Sequence, residues 1–227
     1  MKKYNVFLFD ADNTLYDYNK AEANALKILF GYCGFKYTEE IRMRYREINA
    51  EVWSHFEKGE MTKDDLQTLR FSRLFDDMSV SHNSKEFNEK YLVELGKGAF
   101  LMEGSLEMCK TLTSNGKKIY IITNGLLATQ EARINHSLIE EYITDYFVSE
   151  VVGFHKPNIK YFDYVINKIN VKKEEALVIG DSLTADIAGG NNAGIDTCWF
   201  NPDGIKNNTD NIPTYEIKKL EELINFI

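Results

Sequence analysis

The chain has 227 residues, 44% hydrophobic and 27% charged with only 3 Pro, so it is neither disordered nor fibrous and can form one or two domains with a full core. Its 27 Lys and Arg against 35 Asp and Glu leave a net charge of −8, which repels a phosphate backbone and sets aside nucleic-acid polymers as partners. Cys33, Cys109 and Cys198 lie far apart without a CxxC, against a zinc knuckle or disulfide framework. The apolar run after Met1-Lys2-Lys3 is too short for a signal peptide or membrane span, so a soluble, cytoplasmic protein with no membrane partner is expected.

In chain order, a strand is expected over residues 4–10. Residues 19–97 then read as four helices. Ile41, Tyr45, Ile48, Val52 and Phe56 fall at helical spacing, as do Phe71, Leu74, Phe75 and Met78, and Phe87, Tyr91 and Leu95. That stretch is too long for a crossover and reads as an inserted helical domain. After a helix over 103–115, apolar runs at 118–123, 145–151, 176–180 and 196–200 read as strands buried on both faces. Helical patterns lie between them at 127–138, 158–169 and 184–193, and 217–227 closes the chain with Leu220, Leu223 and Ile224 on one stripe. Alternating strands and helices imply right-handed βαβ units and an α/β fold, a Rossmann-like doubly wound parallel sheet. The domains expected are a sheet domain of residues 1–15 and 99–227 and a helical domain of residues 16–98. Residues 15–100 carry 13 basic and 15 acidic side chains, so most of the net acidity belongs to the sheet domain.

Ligands of an open parallel sheet sit beyond the carboxyl ends of its strands. The first strand runs into Asp10-Ala11-Asp12-Asn13-Thr14 and the second into Thr123-Asn124-Gly125. The third leads to His155-Lys156-Pro157, and the fourth to Gly180-Asp181-Ser182 with Asp186 a turn further on. Each piece alone fits an ordinary capped turn. Together, in this order, they aim carboxylates, an ammonium and a hydroxyl at one crevice. His55, His82, His136 and His155 show no metal-ligand spacing.

This set of motifs resembles the haloacid dehalogenase-like (HAD) hydrolase superfamily over nearly the whole chain. The resemblance implies a nucleophilic Asp10, a second aspartate Asp12 two residues on, Thr123 after the second strand, Lys156, and the acidic pair Asp181 and Asp186. It also implies a helical cap of the first type inserted between the first and second motifs. Under those roles a divalent cation must bridge a phosphate ester and a carboxylate nucleophile, and Mg²⁺ suits an all-oxygen site. Asp10, Asp181 and the Asp12 carbonyl are its expected ligands, with Asp186 holding a metal-bound water or orienting Lys156. Thr123, Asn124, Gly125 and Lys156 are expected to hold the phosphate oxygens. Asp10 attacks phosphorus to form an aspartyl-phosphate, and Asp12 serves as acid and then base. The dehalogenase branch attacks carbon and lacks this second aspartate, so Asp12 with Asp181 points to phosphoryl transfer.

Within the superfamily the runs 9–17, 122–125, 180–190 and 199–202 look most like the pyrimidine 5′-nucleotidase branch. Pro157-Asn158-Ile159 and Met102-Glu103-Gly104 depart from that branch's pattern. The resemblance implies a Mg²⁺-dependent phosphatase for a small phosphorylated metabolite, a nucleoside 5′-monophosphate above all, acting as a monomer or dimer. A sugar-phosphate phosphatase or phosphomutase is the alternative, and a non-catalytic interaction module on this fold a remote one. Trp53, Phe56, Arg70 and Phe71 are the cap candidates for the base, with Tyr16 near the entry and Arg70 the one expected to reach substrate.

Overall fold

In the computed structural model, which describes residues 2–227, six parallel strands form one sheet: β1 Val6–Phe9, β2 Lys118–Thr123, β3 Asp145–Val148, β4 Ala176–Gly180, β5 Asp196–Phe200 and β6 Tyr215–Ile217. Their order is β3-β2-β1-β4-β5-β6, so the chain reverses direction across the sheet at β1. Phe9 pairs with Ile121 on one side and Ile179 on the other, which brings the ends of β1, β2 and β4 level. Such a switch point leaves a crevice beyond the carboxyl ends.

Strand pleating sends alternate residues to opposite faces. Phe7, Phe9, Ile119, Ile121, Leu177 and Ile179 enter one core layer, and Val6, Leu8, Tyr120, Ile122 and Val178 the other. Burial on both faces is why these strands are continuously apolar rather than alternating.

The chain forms two compact units, one of residues up to Tyr18 with Ala99–Ile227 and one of Asn19–Gly98. The second holds α1 Tyr18–Cys33, α2 Glu39–Glu57, α3 Lys63–Asp77 and α4 Ser84–Gly96. The starts of α2, α3 and α4 follow from side chains that accept the orphan amides of the first turn: Thr38 from Ile41, Thr62 from Asp65, and Asn83 from Lys85 and Glu86. The residues at helical spacing form an aromatic core, with Tyr45 stacked on Phe71 at 5.1 Å and Phe87 4.8 Å from Phe71.

The sheet unit adds α5 Ser105–Ser114, α6 Leu127–Asn135, α7 Ser149–Val152, α8 Ile159–Ile169 and α9 Ala188–Ala193. Several elements differ from the sequence expectation. β3 stops at Val148 because Ser149 begins the short α7, which leaves Val151 63% exposed. The segment expected as one helix over 184–193 opens with a π-type turn, Leu183–Ile187, before α9. β6 has three residues, too few for a periodic signal. The closing segment Leu220–Phe226 is a 3₁₀ helix, so Leu220, Leu223 and Phe226, three apart, are buried while Ile224 is exposed. The three cysteines are free thiols, and among the described residues no helix is long and apolar enough to cross a membrane.

Candidate active site

Four strand ends contribute to one cluster. Asp10 follows β1 directly, its amide donating to Ile179 O at 2.8 Å, so its side chain starts from the middle of the sheet. Lys156 lies between β3 and α8 and is 2% exposed. Its Nζ donates to Asp10 Oδ1 at 2.6 Å, Asp186 Oδ1 at 2.6 Å and Ile122 O at 2.9 Å. Burial alone would push the Lys156 ammonium down, but Asp10 and Asp186 outweigh it and hold the group above the ordinary lysine range, hence charged.

Asp186 owes its place to the π-type turn after β4, where the amides of Asp186 and Ile187 both donate to Ser182 O. Its Oδ2 accepts from Ser182 N at 3.1 Å, and the carboxylate packs against the last residue of β4. That residue is Gly180, where a Cβ would lie 2.2 Å from Asp186 Oδ2. Asp181 is fixed through its backbone, since Trp199 Nε1 donates to its carbonyl at 2.9 Å.

Asp10, Asp181 and Asp186 each offer a carboxylate oxygen within 4.8 Å of the others. Burial raises Asp10 well above the carboxylate range; Lys156 opposes the shift, and Asp186, Asp181 and Asp12 add to it. Burial, with Asp186 adding, pushes Asp181 up to about 7. Three crowded carboxylates and a single ammonium leave the cluster short of positive charge. An all-oxygen donor set with excess negative charge fits a hard divalent cation.

The Thr123-Asn124-Gly125 turn closes the opposite wall. Asn124 brackets the backbone of Lys156, donating Nδ2 to its carbonyl at 2.9 Å and accepting its amide at 2.8 Å. This ties the turn after β2 to the segment that carries the ammonium. Thr123 Oγ1, 1% exposed with its residue, accepts Gly125 N at 3.0 Å, and a hydroxyl that accepts keeps its own proton to give. The structure therefore gathers Asp10, Lys156, Asp181, Asp186, Thr123, Asn124 and Gly125 at one end of the sheet.

Asp12 stands differently. Its carboxylate is outside the three-carboxylate group and accepts from two residues of α6. Gln130 Nε2 donates at 2.8 Å to Oδ2, and Arg133 Nη1 forms an ion pair with Oδ1. Burial opposes the charge on Arg133, but Asp12 outweighs it and holds the guanidinium above its ordinary range. Sequence reading missed both residues. Gln130 and Arg133 stand three apart, as on one helix face, but only the loop after β1 brings them an anion, and no local pattern signals it.

Arg70 is corrected by the structure. It is 2% exposed within the helical unit, with Nε and Nη2 on Asn88 Oδ1 at 3.1 and 2.6 Å, Nη1 on Asn49 Oδ1 at 3.3 Å, and its guanidinium 5.1 Å from the Tyr91 ring centroid. A guanidinium satisfied this way belongs to the bundle interior, not to a substrate-facing surface. Phe71 and Tyr16 are likewise buried, while Trp53 and Phe56 are half-buried and meet edge to face at 5.7 Å.

A family model described as haloacid dehalogenase-like hydrolase matches residues 4–194. The chain is 42% identical to the HAD-hydrolase YfnB of Bacillus subtilis (strain 168), over 100% of this chain and 97% of that protein. A crystal structure of YfnB bound to magnesium has a TM-score of 0.93 to this chain, covering 99% of it and 98% of YfnB. The pyrimidine 5′-nucleotidase PynA of Streptococcus pneumoniae is 34% identical over 97% of this chain and 94% of its own. A glyceraldehyde 3-phosphate phosphatase of Methanopyrus kandleri is 27% identical over 97% of this chain and 95% of its own.

Proposed function

This chain belongs to the haloacid dehalogenase-like hydrolase family, and from that premise we propose that it hydrolyses small phosphomonoesters through a phosphoryl group carried on Asp10. The observation that carries the proposal is the buried Lys156, hydrogen-bonded to Asp10 and Asp186 at the strand ends beside Asp181. A buried ammonium in contact with two carboxylates is costly to assemble and suits a site that must receive an anion.

Asp10 Oδ attacks phosphorus, the bond from phosphorus to the ester oxygen breaks, and an aspartyl-phosphate forms. Asp12 gives a proton to the departing oxygen and takes one from the water that attacks the phosphoenzyme, so inorganic phosphate leaves and Asp10 is regenerated. The Thr123 hydroxyl, the Asn124 amide and Lys156 hold the non-reacting phosphate oxygens and offset their charge, while the Gly125 amide, expected to join them, donates to Thr123 Oγ1 and aims that hydroxyl. Asp10 and Asp181 with the Asp12 carbonyl would hold Mg²⁺, Asp186 directly or through water. When bound, the ion supplies the positive charge that lets a phosphate dianion approach a carboxylate.

For substrate class the reading is a nucleoside 5′-monophosphate, pyrimidines above purines, supported by the likeness to PynA over almost the full chain. The likeness to a glyceraldehyde 3-phosphate phosphatase favours a second reading, a sugar phosphate with the same chemistry. Phosphate release from a set of nucleoside monophosphates and sugar phosphates, with and without chelator, tests both. The expected result is chelator-sensitive hydrolysis with a pyrimidine nucleotide fastest in kcat/KM. A tenfold preference for a sugar phosphate, about 1.4 kcal/mol in transition-state binding, overturns the nucleotide reading. Undiminished release after chelation overturns the metal.

A further inference from the structure

We propose that Gln130 and Arg133 are positioning residues for Asp12, holding its carboxylate in the orientation that proton transfer requires; this rests on the phosphatase reading above.

Both oxygens of Asp12 are engaged, Oδ2 by Gln130 Nε2 at 2.8 Å and Oδ1 by Arg133 Nη1. Two donors on two oxygens fix the plane of a carboxylate as well as its place, which one contact does not. The donors are themselves buried. Arg133 is 0% and Gln130 1% exposed, and the guanidinium lies 5.6 Å from the centroid of the buried Tyr16 ring. The Asp12 side chain, by contrast, is 30% exposed, so the held group faces outward while its holders do not.

The segment on each side is shaped for this contact. Asn13 adopts a left-handed φ of 58° and its amide donates to Tyr16 O at 2.7 Å, folding residues 12–16 into a tight turn that carries Asp12. On the other side, a Cβ at Gly125 would lie 2.3 Å from Gln130 Nε2, so the absence of a side chain there leaves the amide its place. The turn that holds Thr123 and the helix that holds Asp12 are therefore continuous, which couples the place of the phosphate to the place of the proton donor. Misplacing a reacting group by about 1 Å can cost roughly a hundredfold in rate, so orientation of this kind has measurable consequences.

Gln130→Ala tests the assignment in two backgrounds. Single-turnover rates are measured for p-nitrophenyl phosphate, whose leaving group needs little protonation, for an alkyl phosphomonoester such as glycerol phosphate, and for hydrolysis of the phosphoenzyme. The variant should lose about tenfold on the alkyl ester and in phosphoenzyme hydrolysis, but about twofold or less in phosphorylation from p-nitrophenyl phosphate. In an Asp12→Asn background it should lose nothing further, since nothing remains to be positioned. Arg133→Lys keeps the buried charge but replaces the planar guanidinium that places Nη1 on Asp12 Oδ1; it gives the same pattern of losses and serves if Gln130→Ala does not fold. Equal losses on both substrates, or an undiminished loss in the Asp12→Asn background, overturn the inference while the phosphatase reading stands. A native chain that hydrolyses neither ester overturns the phosphatase reading and this inference with it.

Discussion

Gly180→Ala probes how tightly the site is built into the sheet. The added Cβ would lie 2.2 Å from Asp186 Oδ2, 2.3 Å from its Cγ and 2.6 Å from its Cβ, where ordinary contact begins at 3.4 Å. Asp186 cannot swing aside cheaply, because Lys156 Nζ holds one oxygen at 2.6 Å and Ser182 N the other at 3.1 Å. Overpacking typically costs 1–3 kcal/mol, and separating a buried ion pair costs up to about 3–5 kcal/mol; partial displacement of Asp186 places the sum near 2–4 kcal/mol. At about 2–4 °C per kcal/mol for a chain of this size, Tm should fall by roughly 5–15 °C. Turnover should fall as well, by about tenfold or more, because Lys156 loses the partner that aims it. Gly116→Ala is the control: its φ is +72° but no atom lies within 4 Å of the added Cβ, so a loss of about 1 kcal/mol with full activity is expected. Differential scanning calorimetry and steady-state phosphate release on both variants read the comparison. A Gly180→Ala protein as stable and active as the parent would refute the packing of Asp186 against β4.

Arg70→Met should lower Tm by an amount worth about 2–4 kcal/mol, because Asn88 and Asn49 lose a buried charged donor, yet leave kcat/KM within about threefold at temperatures where the protein is folded. A specific loss of kcat/KM without a shift in Tm would return Arg70 to the substrate. Phe71→Ala should cost about 3–5 kcal/mol in urea denaturation, since its ring is fully buried against Tyr45 and Phe87; a loss below about 1 kcal/mol contradicts that core. In chelated protein, burial and Asp186 push the Asp181 carboxyl up to about 7, and a carboxyl raised from an unfolded value near 4 binds more protons folded than unfolded. Its contribution to stability is present below about pH 4 and is lost as pH rises toward about 7. The gain in Tm on adding Mg²⁺ should therefore grow between about pH 5 and 7.5, and a pH-independent gain contradicts the assignment.

Most of the sheet was legible because β1, β2, β4 and β5 are buried on both faces and so read as nearly unbroken apolar runs, bounded by Asp, Asn or Gly. β2, β4 and β5 match the expected runs residue for residue. The helical insertion was legible for the complementary reason, a 3.6-residue repeat of large side chains that became its aromatic core. Short or irregular elements were not. β6 has three residues, and the π-type turn at Leu183–Ile187 interrupts what looks like continuous helix, although that turn is what brings Asp186 to Lys156. Asp10 and Asp181 were legible because each directly follows an apolar strand; Lys156 and Asp186 lie further along, past α7 and within the π-type turn, and were legible only as part of the ordered set of motifs. Gln130 and Arg133 were hidden because their partner Asp12 is more than a hundred residues away in sequence. Arg70 misled for a related reason: a charged residue in an apolar helix pattern looks functional until Asn49 and Asn88 are seen to satisfy it.

The most direct measurement is the chemical identification of the phosphorylated residue. Enzyme mixed with a phosphomonoester substrate and Mg²⁺ is quenched within a turnover and treated with borohydride, which reduces an aspartyl-phosphate to homoserine but leaves free carboxylates intact. Tandem mass spectrometry then locates the modification. Homoserine at position 10, absent without substrate and increased in Asp12→Asn with p-nitrophenyl phosphate, is the result expected of Asp10 as nucleophile and Asp12 as base for the second step. Homoserine at another aspartate, or none while phosphate is released at an undiminished rate by Asp10→Asn, would contradict it.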